Sequence, residues 1–314
     1  MSSIPALTAT TVITQWYAAP IALAVSVAAV AAYAHGLHRL RARGRQWPRH
    51  RTVLFGVGML VYLYVSCGAP QVYGRTLFSM WTGQMLMLLL VVPGLVMGGQ
   101  VVELNRMVAG PGSIGTRLLR SRPGRVLSSP LVGPVIIPVL SAGLFFGPVP
   151  GWAVASPVAG WLLQLLLVVI GSAIVLPLVA TDDDRASLAV ALAMGIGFIE
   201  LLLDAIPGIV LRLQTHISST YFEHHLVQSW SPSNLRDQQF AGGVLWCAAE
   251  LLDLPFLILV FQRLIHADAR DAREIDTVLD AERIARGVGS SQPEDSRDQP
   301  WWLADPNLRE RYRE

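Results

Sequence analysis

The sequence predicts an all-α integral membrane protein with seven transmembrane helices, an N-terminus outside the cell and a cytoplasmic C-terminus. Three observations lead to this prediction. Of the 314 residues, 53% are hydrophobic and 15% are charged, with a mean hydropathy of +0.47, which is not typical of a soluble globular chain. The apolar residues form blocks about as long as the roughly 20 residues that cross a hydrocarbon core of ~30 Å. The basic residues, finally, are unevenly distributed among the loops.

Seven apolar blocks define the predicted spans. They lie at about residues 17–37, 52–69, 77–99, 127–147, 157–180, 187–212 and 240–264. Backbone polar groups in lipid must be satisfied within the segment, so a span is either a helix or part of a closed barrel. None of the blocks alternates apolar and polar residues as a barrel strand does. We therefore expect helices throughout.

The arginines set the predicted orientation, since the sequence contains no lysine. Six arginines lie in residues 38–51 and five in residues 106–125, whereas the loop after the second block has Arg75 alone and residues 148–156 carry no charge. The positive-inside rule places the arginine-rich loops in the cytoplasm. No basic region precedes the first block, so we expect that block to be a retained span rather than a cleaved signal peptide.

The composition predicts two parts. Residues 1–266 form the seven-helix membrane domain, and residues 267–314 form a charged cytoplasmic tail with a partly helical start and a flexible linker. We find no phosphate loop, no nucleophile–base pair and no nucleic-acid signature. The expected protein is therefore not an enzyme, contacts membrane lipid and does not bind nucleic acid. Cys67 and Cys247 either pair or remain separate apolar cysteines, and the second alternative is favoured because free cysteine is commonly buried.

Four carboxylates lie within the last two predicted spans. They are Glu200 and Asp204 in the sixth block and Glu250 and Asp253 in the seventh, with Arg212 at the outer end of the sixth. Spacings of three and four residues place each pair on one helix face. Charged groups inside a membrane are expensive and often functional. A metal site, a proton path and polar contacts between helices remain alternatives, as does pairing with uncharged polar groups of neighbouring spans.

Two groups of residues are candidate metal ligands. They are Met80 and Met85 in the third block, and His216, His224 and His225 in the outer loop before the seventh. Thioethers and imidazoles are ligands that copper accepts. Methionine also fills irregular apolar gaps, and a solvated loop also explains the histidines. Packing and solvation are the favoured interpretations.

A polar motif opens the seventh block. It consists of Asp237, Gln238 and Gln239, then Gly242 and Gly243, then Trp246. Together with seven spans, this motif resembles the CtaG-type cytochrome c oxidase assembly factors, which are bacterial multi-pass membrane proteins associated with copper delivery to the oxidase. Further similarities are Trp47-Pro48, Phe78-Ser79, Pro177, Pro300-Trp301-Trp302 and Asp305-Pro306. The resemblance implies a plasma-membrane location, oxidase subunits as partners, copper as the metal, and a part for Asp237, Gln238 and Trp246 in fold or partner specificity.

The third span departs from that family. Its members usually carry two histidines there, at positions that correspond to Trp81 and Met85, and a fifth-span histidine in a region where this chain has Trp161 and Gln164. The resemblance therefore implies oxidase assembly, with copper delivery at the outer face as one form of it. The alternatives are an assembly scaffold that does not bind copper, and a proton- or cation-coupled small-solute transporter that uses the intramembrane carboxylates.

Overall fold

A computed structural model describes residues 4–110, 133–179, 203, 205–224 and 228–285, and the described chain is helical with no β-strand. Four of its helices are long and apolar enough to cross a membrane, namely Pro20–Ala42, Arg49–Tyr73, Phe78–Gly98 and Pro157–Val175. Pro138–Phe146 and Val149–Ala155 make a fifth span if this pair, bent by 65°, is counted as one. The all-α prediction is confirmed for this part of the chain. Seven spans and their orientation stay predictions, because most of the sixth block lies outside the described residues and the helix over the seventh block is not among these candidate spans.

The helices are numbered in chain order. They are α1 (Ala9–Thr14), α2 (Pro20–Ala42), α3 (Arg49–Cys67), α4 (Ala69–Tyr73), α5 (Phe78–Leu86), α6 (Val92–Gly98), α7 (Val101–Ala109), α8 (Gly133–Phe146), α9 (Val149–Ala155), α10 (Pro157–Val179), α11 (205–213), α12 (Thr220–Glu223) and α13 (Asn234–Ala285). A π-helical turn at Met87–Val91 joins α5 to α6. The third predicted span is thus two α-helices with a π-turn between them.

Proline and glycine explain that π-turn. Pro93 has no N–H to offer the carbonyl group of Leu89, four residues earlier, so the regular helical ladder is interrupted there. The backbone of Gly171 on α10 lies directly against that carbonyl, and a Cβ atom at this position would overlap the Leu89 oxygen. Helix α10 therefore packs closely on the irregular part of the third span, as small residues allow in membrane interfaces.

The end of the bundle that contains the α2–α3 loop is held by an aromatic cluster. The rings of Tyr33 and Phe55 stack with centroids 4.0 Å apart. The Tyr33 hydroxyl donates to the Gly99 carbonyl oxygen at 3.0 Å and accepts from Trp47 Nε1 at 3.0 Å. These contacts give the Tyr33 hydroxyl and Trp47 Nε1 the hydrogen-bond partners that buried tyrosine and tryptophan usually find. The cluster ties α2, the following loop and the end of α6 together.

The chain divides into two compact units, Met1–Phe261 and Gln262–Glu314. The second unit is described over residues 262–285, which are helical, and all side chains described there are exposed. The predicted linker and the tryptophan-rich end lie outside the described residues. In the first unit Cys67 is buried, and both it and the exposed Cys247 are free thiols.

Candidate functional site

Asp237 belongs to α13 but caps the N-terminus of α5. It lies in the first turn of α13 and is 5% exposed. Its Oδ2 atom accepts from the backbone N–H of Phe78 at 2.5 Å and of Ser79 at 3.4 Å, and its Oδ1 atom accepts from Ser79 Oγ at 2.5 Å. The first N–H groups of α5 have no partner within the helix, and the preceding residue, Leu77, has no capping side chain. The carboxylate satisfies these donors and lies at the positive end of the helix dipole.

Burial governs the acidity of this carboxylate. Desolvation raises the pKa of Asp237 above its ordinary value of 3.8, and the hydrogen bonds from Ser79 Oγ and the two backbone amides lower it in part. The desolvation effect is the larger one because the charged form loses its water. The folded protein therefore holds the proton of this carboxyl more tightly than the unfolded chain does.

The next two residues of the motif hold a turn. Gln238 is fully buried. Its Oε1 atom accepts from the backbone N–H of Ser218 at 2.7 Å, and its Nε2 atom donates to the His216 carbonyl oxygen at 3.0 Å and to Gln214 Oε1 at 3.4 Å. Gln239 Nε2 donates to the Gln214 carbonyl oxygen at 3.3 Å. Both amides therefore fix the chain between α11 and α12.

The glycines of the motif allow close contact between α11 and α13. A Cβ atom on Gly242 would lie 2.6 Å from the Gly208 carbonyl oxygen, and one on Gly208 would lie 2.7 Å from the Trp246 backbone nitrogen. The next glycine, Gly243, faces the guanidinium group of Arg212. Only glycine permits this separation of the two backbones.

Only part of the predicted acidic cluster lies among the described residues. Trp246 is 39% exposed, and its Nε1 atom donates to Glu250 Oε1 at 3.3 Å. Arg212 donates to the Gln239 carbonyl oxygen at 3.3 Å, and among the described residues the ion pair that forms is Arg106–Glu103. Glu200 and Asp204 lie outside the described residues, and the side chain of Asp253 is not described. A cluster of four carboxylates stays a prediction.

Three buried glutamines form a second polar group in the first unit. Gln71 on α4, Gln84 on α5 and Gln164 on α10 are 8%, 3% and 4% exposed. Gln71 Oε1 accepts from Gln84 Nε2 at 2.5 Å and from Gln164 Nε2 at 2.7 Å, and Gln84 Nε2 also donates to the Val65 carbonyl oxygen at 3.0 Å. These three residues, which we call the glutamine triad, and the Val65 carbonyl group connect four helices inside an apolar bundle.

The glutamine triad faces a small cavity with about 20 Å³ of room for the centre of a water molecule. Its other lining residues are Gly74, Arg75, Trp81, Met85, Ala153, Val154, Pro157, Gly160 and Leu163. Trp81 and Met85 are four residues apart on α5 and so share a face. Met85 is 2% exposed, and Trp81 Nε1 donates to the Leu144 carbonyl oxygen at 3.3 Å.

Aromatic contacts connect this cavity to the Asp237 motif. The guanidinium carbon of Arg75 lies 4.5 Å from the centre of the Tyr17 ring, a cation–π distance. Tyr221 donates to the Arg75 carbonyl oxygen at 2.8 Å. The ring of the adjacent Phe222 packs edge-on against the ring of Phe78, with centroids 4.8 Å apart. The backbone N–H of Phe78 donates to Asp237. The motif and the cavity thus belong to one packed region.

Four of the five candidate copper ligands lie among the described residues. Met85 lines the cavity, whereas Met80 packs against a different apolar cluster formed by Ala69, Tyr73 and Leu77. His216 and His224 are exposed in the segment between α11 and α13, and His225 lies outside the described residues. In the described chain no group of three or more His, Cys, Asp or Glu side chains could hold a metal ion.

The cavity as it stands does not fit copper. Copper(I) prefers thiolate, thioether and imidazole ligands, and the cavity offers one thioether from Met85 with three carboxamides. The Trp81 indole contributes a donor that the Leu144 carbonyl already accepts. Sequence reasoning gave no role to Gln71 or Arg75. An amide within an apolar block was the available signal for Gln71, whereas nothing in the sequence places Arg75 at this cavity.

Three mycobacterial proteins are similar to this chain. The chain is 25% identical over 280 residues to uncharacterised proteins of Mycobacterium bovis and Mycobacterium tuberculosis, which covers 86% of this chain and 42% of theirs. An uncharacterised protein of Mycobacterium leprae is 23% identical over 258 residues, covering 79% of this chain and 39% of its own length. The chain therefore spans about two fifths of the length of these relatives.

No solved structure matches the chain. Residues 31–267 match the cytochrome c oxidase caa3 assembly factor family, Caa3_CtaG, in agreement with the resemblance carried by the Asp237 motif. That range includes the apolar helices from α3 to α10, the glutamine triad and the α11–α13 contact, as expected of a multi-pass membrane protein. The chain is a member of the Caa3_CtaG family of cytochrome c oxidase assembly factors.

Proposed function

We propose that this protein assists the assembly of a haem-copper cytochrome c oxidase in the bacterial plasma membrane, and that it does so as a scaffold rather than as a copper carrier. Family membership over residues 31–267 supports a role in oxidase assembly. Because the chain covers only about two fifths of its mycobacterial relatives, its partners are inferred from the family alone. Oxidase subunits are the partners that this role requires.

The donor set of the cavity is the observation that favours a scaffold. Gln71, Gln84 and Gln164 bond to one another through their amide groups. Neutral amides that hydrogen-bond to one another stabilise a packed arrangement of helices, with each bond between membrane helices contributing about 0.6 kcal/mol. One thioether beside them does not make a soft-metal site. The polar groups at this place therefore support rigid packing.

Copper delivery makes a different prediction for the purified protein. We would titrate Cu(I) under reducing conditions against a chromophoric chelator, and expect no stoichiometric binding by the wild type. Binding that is lost in Met85→Leu but kept in Met59→Leu would refute the scaffold proposal, since Met59 is also buried, in α3, but does not line the cavity. Met80, His216, His224 and His225 would be the next ligands to test in that event.

The role in assembly is tested in the bacterium that encodes the protein. Deletion of the gene should reduce spectroscopically measured haem a and oxidase activity in membranes, and wild-type protein should restore both. Copper added to the medium should not restore them if the protein acts as a scaffold. Restoration by copper alone would favour delivery, and normal oxidase levels after deletion would refute a role in assembly. A transporter that depends on Glu250 would instead lose solute uptake in Glu250→Gln while the oxidase remained intact.

A further inference from the structure

We propose that the cavity beside the glutamine triad binds one internal water molecule, which joins α4, α5 and α10. The ligand class is a small neutral molecule that both donates and accepts hydrogen bonds. The proposal concerns a different property from oxidase assembly and does not depend on it.

The unused polar atoms of the triad carry this inference. Each carboxamide has one oxygen acceptor and two N–H donors. The Gln84 and Gln164 side chains use only their nitrogen atoms in hydrogen bonds, and Gln71 uses only its oxygen. Two carbonyl oxygens and one amide nitrogen are thus left over. Buried polar groups without partners are costly, and each commonly amounts to about 1–3 kcal/mol.

These three atoms are not fully enclosed, and the residues that carry them line the cavity. The fully enclosed side-chain polar atoms without a partner in the described chain are Ser66 Oγ, Thr82 Oγ1 and Ser219 Oγ, and no atom of the triad is among them. The remaining atoms of Gln71, Gln84 and Gln164 therefore keep some accessible surface, and all three residues line the same cavity. Gly74 leaves this room, because a Cβ atom there would lie 3.0 Å from Gln84 Oε1.

Size and hydrogen-bonding capacity both fit water. The room for a water centre is about 20 Å³, and roughly 10–15 Å³ of such space is enough for one molecule. A water molecule can donate to Gln84 Oε1 and Gln164 Oε1 and accept from Gln71 Nε2. That gives the roughly three hydrogen bonds that buried waters typically make. A larger ligand does not fit this volume.

Radical footprinting tests the proposal on the intact protein in detergent micelles. Short X-ray pulses convert water into hydroxyl radicals, which oxidise the side chains they touch, and mass spectrometry measures the methionine sulfoxide formed. Met85 lines the cavity and is 2% exposed, whereas Met59 is 7% exposed on α3 and does not line it. Exposure alone predicts faster oxidation of Met59. A water at the triad predicts oxidation of Met85 several-fold faster than that of Met59.

Variants identify the source of the radicals. Gln164→Leu removes one acceptor and should reduce the oxidation rate of Met85 to that of Met59. Arg236→Ala changes an exposed side chain that does not line the cavity and should leave the oxidation rate of Met85 unchanged. Met85 oxidised no faster than Met59 in the wild type would overturn the proposal, and so would fast oxidation that persists in Gln164→Leu.

The wild-type comparison needs no variant, so it decides the question even if Gln164→Leu does not fold. A high-resolution map of the purified protein gives a second readout. It should show a density peak within hydrogen-bond distance of Gln84 Oε1 and Gln164 Oε1. A well-resolved triad without such a peak would contradict the proposal.

Discussion

Replacement of Asp237 by alanine tests whether the family motif stabilises the fold across two helices. The change removes the acceptor for the Phe78 and Ser79 backbone N–H groups and for Ser79 Oγ. Two of these contacts are short, at 2.5 Å, and the third is long, at 3.4 Å. Hydrogen bonds to a charged group typically contribute about 1.5–3 kcal/mol each.

The net loss is smaller than the sum of these bonds. Desolvation of the ionised carboxylate opposes them, as the raised pKa of Asp237 shows. With two strong bonds and this opposing term, we expect Asp237→Ala to lower the free energy of unfolding by about 2–4 kcal/mol. Asp237→Asn keeps one carbonyl oxygen as an acceptor, so its loss should be nearer 1 kcal/mol.

The buried thiol of Cys67 provides the assay. Cys67 is 5% exposed, so in a Cys247→Ser background a thiol-reactive dye reports its exposure as the protein unfolds in heat or in SDS. Arg236→Ala is the matched control, because Arg236 precedes Asp237 and is exposed. Surface changes are usually within about 0.5 kcal/mol. If Asp237→Ala is as stable as Arg236→Ala, the cap does not hold the two helices together and the argument for the motif fails.

Three further predictions use the same assay. Because the folded-state pKa of Asp237 lies above 3.8, protonation of this carboxyl adds stability that is fully present below the unfolded-state pKa and is lost as pH rises through the folded-state pKa, while the hydrogen bonds that Asp237→Ala removes persist at neutral pH. Asp237→Asn should flatten this pH dependence, and an unchanged pH profile would contradict it. Gly171→Ala should destabilise strongly, because its Cβ atom would overlap the Leu89 carbonyl oxygen, whereas Gly83→Ala, with open space around the Cβ position, should stabilise by about 0.5–1 kcal/mol. Equal effects of the two would show that α10 can move away from the π-turn. Gln238→Leu should cost about 2–4 kcal/mol by leaving the Ser218 N–H and the His216 carbonyl group without partners, and a stability equal to the wild type would mean that water reaches this turn.

Three apolar helices could be predicted from the sequence, because the length of an uninterrupted apolar block indicates a membrane-length helix. The blocks at 17–37, 52–69 and 157–180 correspond to α2, α3 and α10 within a few residues. The block at 77–99 was expected to be one helix, but the absence of an N–H group at Pro93 and the approach of Gly171 produce a π-turn within it. The first cause is visible in the sequence. The second is a tertiary contact and is not.

The cavity shows a stronger limit of sequence reasoning. Gln84 and Gln164 lie near positions where related proteins carry histidine, whereas Gln71 does not, and no motif in the sequence brings the three together. Their contact depends on α4, a short helix after Gly68 that turns Gln71 towards α5 and α10. No periodicity encodes such a turn, because it follows from how separate helices pack. The motif at Asp237 was recognised as a pattern, but its capping of a helix 158 residues away along the chain could not be read from that pattern.

The Asp237 motif positions helices and side chains that form the cavity. Asp237 fixes the first residues of α5, and Trp81 and Met85 follow one and two turns later on that helix. Tyr221 and Phe222, which lie between the turn that Gln238 holds and the start of α13, contact the backbone of Arg75 and the ring of Phe78. A change at Asp237 should therefore alter the cavity even though no atom of Asp237 lines it. Slower oxidation of Met85 in Asp237→Asn than in Arg236→Ala, as expected when the glutamine triad no longer holds its water, would demonstrate this coupling, whereas equal rates would mean that the motif stabilises α5 without positioning the glutamine triad.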